Sequence, residues 1–131
     1  MTRRLLLLLL LLLASSRPAA GAIAHVQTVT CQADGAASCT TAAITSTTGN
    51  LFVASVAGYD STFSSVTDSK SNSYSVASTE VSVSLVAWSS QRYVANATGG
   101  SSHTFTLTSA AATGSALSVS GISGASPTPL D

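Results

Sequence analysis

The chain has 131 residues, enough for one domain, of which 45% are apolar and only 8% charged. So much Val, Ala, Leu and Ile, set among serines and threonines that make up roughly a third of the chain, excludes a disordered segment and favours pleated, half-buried surfaces over helices. Three of the five basic residues (Arg3, Arg4 and Arg17) lie before residue 23. Beyond them, Lys70 and Arg92 face Asp34, Asp60, Asp68, Glu80 and Asp131, a net of −3 that leaves no basic patch for nucleic acid.

Residues 1–22 read as a secretory signal. Arg3 and Arg4 supply the positive start and Leu5–Leu13 an unbroken apolar core, shorter than the roughly 20 residues a membrane-spanning helix needs. Arg17-Pro18 breaks any helix, and Ala20-Gly21-Ala22 and Ala22-Ile23-Ala24 both offer the small-x-small cleavage pattern. A retained membrane anchor is the competing reading. No second apolar stretch of that kind follows, so the mature chain is expected to be soluble and secreted, extracellular or at the cell surface, with no membrane contact once the signal is cleaved.

Residues 23–125 are expected to form an all-β, antiparallel domain, a β-sandwich resembling a jelly-roll, with residues 126–131 as a Pro-containing tail. Ile23–Thr30 is the first expected strand. Cys31 and Cys39 follow, flanking an Asp34-Gly35 turn signal, and in an exported chain two such cysteines are expected to form a disulfide rather than half of a metal site. Thr41–Thr47 is a second strand. Gly49-Asn50 then turns into Leu51–Ala57, an apolar run expected to be central and buried on both faces, closed by Gly58. After a polar loop at Tyr59–Phe63, Ser64–Thr67 is short and extended, and Asp68–Asn72 turns into Ser73–Ala77.

Asp68, Lys70 and Asn72 alternate as calcium ligands would, but a lysine fills the middle slot and neither the glycine nor the distal glutamate follows, so a turn is the expected role. Glu80–Trp88 alternates as one strand, continued by Gln91–Ala95, and Asn96–Ser101 makes a turn that carries the sequon Asn96-Ala97-Thr98. His103–Ser109 alternates again, Ala110–Gly114 reads as a turn, and Ala116–Ile122 is the last strand. The prolines Pro127 and Pro129 keep the tail out of a sheet interior.

The order of these motifs resembles a β-sandwich domain of exported bacterial proteins and phage structural proteins. The residues that carry the likeness are Thr48–Val53, Val66–Ser69 with Asn72-Ser73-Tyr74, Tyr93–Asn96 with Thr98–Ser101, Thr104–Thr108, and Ser123-Gly124 with Pro129-Leu130-Asp131. Two departures stand out: Ser71-Asn72 replaces the usual Gly-Asn, and the acidic residue common before the final Ser-Gly is absent. The resemblance implies an immunoglobulin-like sandwich without a catalytic set. Domains of that kind tend to continue past the Pro-Leu-Asp sequence, so the tail is a candidate truncation point, and an open sheet edge there would favour self-association.

Chemistry is sparse. No Gly-x-Ser-x-Gly elbow accompanies the many serines, the two histidines (His25 and His103) sit on expected strands, and Asp60, Asp68 and Glu80 are few from which to draw a tuned carboxylate pair. No phosphate loop or dinucleotide fingerprint occurs, and no cofactor is expected. Tyr59, Phe63, Tyr74, Trp88 and Tyr93 could instead serve as ligand-facing aromatics, or simply fill the core. The first expectation is an exported, non-enzymatic module for adhesion, surface display or assembly, partnered by a polysaccharide or another surface protein. A carbohydrate-binding module is the alternative, and a secreted hydrolase a distant third.

Overall fold

The computed structural model describes residues 22–59, 62–83 and 87–125, so the leader up to residue 21, Asp60 and the tail 126–131 lie outside the described residues. These segments form eight antiparallel strands: β1 (Ala24–Thr40), β2 (Ile44–Ser46), β3 (Leu51–Tyr59), β4 (Phe63–Asp68), β5 (Ser75–Val83), β6 (Ala87–Val94), β7 (Gly100–His103) and β8 (Phe105–Ser123). The order in the main sheet is β1-β8-β3-β6-β5, β4 pairs with β8, and β2 and β7 form a small second sheet.

Two long strands make a sandwich-like body out of one curled sheet. The second half of β8, residues 115–123, pairs with the start of β1 and with β3. Its first half, residues 105–109, pairs instead with the end of β1 and with β4. Both strands therefore pass from one layer to the other, β1 through register shifts between Ala33 and Ser38 with Gly35 at φ +69°. The Asp34-Gly35 turn signal is thus a bulge inside a 17-residue strand. Likewise Ala110–Gly114 is no turn: its small residues lie within a continuous β8 of 19 residues.

β3 is central, the third of five strands, and its inner face carries Phe52, Ala54 and Val56 into the core. Burial on both faces, expected for this run, does not occur: Val53 is half-buried and Ser55 and Ala57 are exposed on the outer face. Phe52 meets Phe105 of the opposite layer edge-on at 5.3 Å, and Leu107, Leu117, Val119 and Trp88 complete the interior. The expected single strand over Glu80–Trp88 is also corrected. β5 and β6 are separate, antiparallel partners, with Val83 opposite Ala87.

Cys31 and Cys39 are joined by a disulfide, with Cα atoms 5.8 Å apart, which ties the two layers of β1 together. No helix among the described residues is long and apolar enough to cross a membrane.

Candidate functional site

The densest polar chemistry gathers at one end of the sandwich, around Asp68 at the close of β4. Its side chain is fully buried. Oδ1 accepts hydrogen bonds from the backbone N–H of Lys70 (2.9 Å) and of Asn72 (3.1 Å), and Oδ2 accepts from Asn72 Nδ2 (2.8 Å) and the Tyr74 hydroxyl (2.9 Å). A carboxylate at the head of a tight turn does this readily, and Ser71 takes the left-handed φ of +60° that the turn requires. The donors point at the carboxylate from inside the loop, so the three residues spaced like calcium ligands hold a turn. Burial alone would raise the Asp68 pKa, but the bonds from Asn72, Tyr74 and Lys70 outweigh it and hold the carboxyl below its ordinary value. Tyr74 moves the other way: burial first, then the charge and hydrogen bond of Asp68, push its phenol well above the usual tyrosine range.

Asn72 also reaches across to the neighbouring loop, where its Oδ1 accepts from Thr98 N (2.8 Å) and its Nδ2 donates to Thr98 O (3.0 Å). Ala97, 1% exposed, exchanges backbone bonds of 2.9 Å with Gly49 and Asn50. Gly99 packs so closely against the backbone of Thr47 and Thr48 that a Cβ would lie 2.5 Å from Thr47 C. Hence the Gly-Asn, Asp-x-x-x-Asn-x-Tyr and Asn-x-Thr-Gly-Gly motifs, distant in the chain, meet in one interlocked end. They are joints of the fold.

The structure brings together one further set that sequence reasoning did not assemble. Ser46 Oγ lies 2.6 Å from His103 Nδ1, and His103 Nε2 lies 3.2 Å from Asp68 Oδ2. Serine, imidazole and carboxylate in a row are the components of a hydrolytic triad, but with the two ring nitrogens exchanged relative to the usual serine–His–acid order. The His103 ring has no exposed surface, stacks on Phe105 at 4.4 Å and takes the edge of Phe52 at 5.4 Å. Nε2 is close to the carboxylate without being aligned as a hydrogen bond, so the contact is a charge neighbour in a packed interior. Ser46 Oγ is itself taken up by Gly100, whose N–H donates to it at 3.3 Å. The arrangement braces β2, β4 and β7 and leaves no room for a substrate. His25, by contrast, is exposed on β1, 2.9 Å from Thr28 Oγ1. Asp60 lies outside the described residues, as does the side chain of Glu80.

The five aromatics separate by location. Trp88 is 3% exposed and lies in the core, where its ring covers Gly58; it faces no ligand. Tyr74 is half-buried, with its hydroxyl committed to Asp68. Phe63 stands between the layers, 6.0 Å from Trp88 and under the Arg92 guanidinium at 4.5 Å. Tyr59 is 52% exposed and Tyr93 is half-buried on the outer face of the main sheet.

Between these two tyrosines the outer face is hollow. Thr30, Ser118, Ser55, Gln91 and Ser78 are successive partners across β1, β8, β3, β6 and β5, forming one polar row over five strands. This row lies in a depression of about 580 Å³. A second depression of about 330 Å³ shares Gln32, Ala57 and Ala116 with it and ends at Asp34 and Tyr59, whose ring lies over Gly114 where a Cβ would collide with it. Val53, in register with Tyr93, and Tyr59 are six residues apart on β3, about 20 Å at strand spacing. Hydroxyls, amides and methyls line this trough, and Asp34 is its one ionisable carboxylate. Among the described residues no three His, Cys, Asp or Glu side chains gather as a metal set. Comparison of the chain with protein-family models, curated proteins and solved structures finds no match.

Proposed function

We propose that this chain is an exported, non-enzymatic β-sandwich module that serves adhesion, surface display or assembly at a bacterial cell surface. One observation carries the reading. The residues with reactive potential, Ser46, His103 and Asp68, are consumed in an internal brace, while the outer face of the main sheet carries an open, almost charge-free trough. A catalyst needs a nucleophile that substrate can reach, and Ser46 is 8% exposed. A display module needs a stable body, a small set of joints and an accessible face.

The same trough favours carbohydrate binding as a second reading. Neutral sugars are recognised by hydroxyl and amide hydrogen bonds and by stacking on aromatic faces, which the row from Thr30 to Ser78 and the flanking Tyr59 and Tyr93 would supply. Pull-down of the mature chain on insoluble neutral polysaccharides, with a glycan array, tests this. The expected result is retention that falls at least tenfold in Tyr59→Ala and Gln91→Ala, with no turnover of generic esters or glycosides. Turnover abolished by Ser46→Ala would overturn the non-enzymatic reading.

A further inference from the structure

Trp88, Ser90 and Arg92 alternate along the inner face of β6, and the first two are buried. Arg92, half-buried at the end of this series, sets its guanidinium over the Phe63 ring of β4, 4.5 Å from the ring centroid. An aromatic face attracts the positive charge but gives the N–H groups no oxygen to bond. The Arg92 Nε is buried and has no hydrogen-bond acceptor. No carboxylate among the described residues lies at ion-pair distance from the guanidinium. Lys70 differs, since its ammonium donates to Ser101 O at 2.8 Å. Arg92 is thus a charged donor that the fold leaves unmatched. It also lines a cleft of about 180 Å³, together with Phe63, Ser64, Ser65, Val66 and Tyr74. At about 30 Å³ per molecule that space equals about six waters, room for one small ligand.

A partly buried cation without an acceptor, beside an empty cleft, calls for an anion. The planar fork of a guanidinium matches a carboxylate, which can take two of its N–H groups at once. One arginine, in a chain that carries a net −3 beyond residue 22, suits a single negative charge better than a phosphate dianion. We propose that this cleft binds a small monocarboxylate, with its carboxylate on the Arg92 guanidinium and its body against Val66 and the Tyr74 ring. Two sources carry that group, a free organic acid and an acidic sugar such as a uronate. The proposal goes beyond the function proposed above and does not rest on it. Gln91 and Arg92 are consecutive on β6, so the trough and the cleft lie on opposite faces of the main sheet.

Nitrogen-15 NMR of the folded chain tests it by following the Arg92 Nε–H resonance, identified by its loss in Arg92→Gln. Sodium propionate and sodium glucuronate are titrated at constant ionic strength, each beside its neutral methyl ester, with chloride and sulfate as plain anions. At least one acid should shift the resonance saturably, with its ester at least tenfold weaker and neither plain anion saturating. Tighter binding of glucuronate would place the carboxylate on a sugar, and equal or tighter binding of propionate on a free acid; both support the site. The backbone amides of Ser64 and Ser65 should follow the same titration and respond at least tenfold more weakly in Arg92→Gln. The comparison of acid with ester is made in the unaltered chain, so it decides the matter even where that variant fails to fold. No saturable shift from either acid, equal shifts from acid and ester, or saturation by chloride or sulfate would each overturn the proposal. Polysaccharide retention is read through the trough, so a cleft that binds no acid leaves the proposed function standing.

Discussion

Replacing Asp68 by alanine removes the acceptor of four hydrogen bonds at once and leaves His103 without its charged neighbour. The four losses are unequal. The Lys70 and Asn72 backbone N–H groups belong to a surface turn and can turn to water, and Asn72 Nδ2 keeps its bond to Thr98 O. The Tyr74 hydroxyl is half-buried and donates to Asp68, and the fully buried His103 ring loses its charged neighbour. Taking about 1.5–3 kcal/mol for a bond to a charged acceptor, and discounting the solvent-rescued ones, the expected loss is about 3–4 kcal/mol. That is a large part of a domain's usual 5–15 kcal/mol. Asp68→Asn should cost less, because its remaining oxygen can still accept from the two backbone N–H groups while its amide opposes Asn72 Nδ2. Urea unfolding followed by the fluorescence of Trp88, the sole tryptophan and a buried one, measures both variants. A loss below about 1 kcal/mol for Asp68→Ala would refute the reasoning, since the carboxylate would then hold the loops no better than water does.

Two titrations should bound the stable range. The Asp68 pKa is lowered on folding, so its stabilisation is present above the ordinary value of 3.8 and disappears as pH falls below about 4, and Asp68→Asn should flatten that acid limb. The Tyr74 pKa is raised, so the unfolded chain loses its phenolic proton first and stability declines as pH rises past about 10, a decline that Tyr74→Phe should lessen in melts at high pH. Gly58→Ala should cost about 2–3 kcal/mol by thermal unfolding, because its methyl would collide with the Trp88 ring and lie 2.9 Å from Gly114 O; an unshifted midpoint would place the indole elsewhere. Phe52→Ala should cost about 3–5 kcal/mol, whereas Val53→Asp, one residue along on the outer face, should be tolerated far better; equal losses in denaturant would contradict the facing of β3.

Strand alternation and turn chemistry were enough to read the all-β class, the central place of Leu51–Ala57 and the pairing of Cys31 with Cys39. They misjudged where strands stop. Ser84, Leu85 and Val86 carry no turn signal, so alternation over Glu80–Trp88 did not separate β5 from β6, which pair antiparallel with Val83 opposite Ala87. Ala110–Gly114 looked like a turn because small residues also suit a strand bending between layers, and only the pairing of β8 with both halves of β1 tells the two apart. The Asp68–Asn72 turn was legible because its bonds are local. The brace was not: Ser46 is one of 25 serines, and it meets His103 only after β2 and β7 pair across more than fifty residues of sequence. Val53 was misplaced because an apolar run does not say which alternate residues the opposite layer is wide enough to cover.

The pairing of β1 with β8 has a mechanical meaning for a module of the kind proposed. Ala24 and Ser123 are partners in the ladder, so the two strands leave the domain side by side at one end. Tension applied through both would load the ladder as a zipper, opening bonds one pair after another rather than shearing all of them together. Peeling of β1 from Ala24 would reach Cys31 and stop adding length there, because the disulfide carries the load straight to Cys39. Residues 32–38, the stretch in which β1 crosses between layers, are bypassed by the force. Under pull, the domain would therefore yield at its outer sheet first and keep its crossover folded in length, a two-stage extensibility set by a single covalent bond.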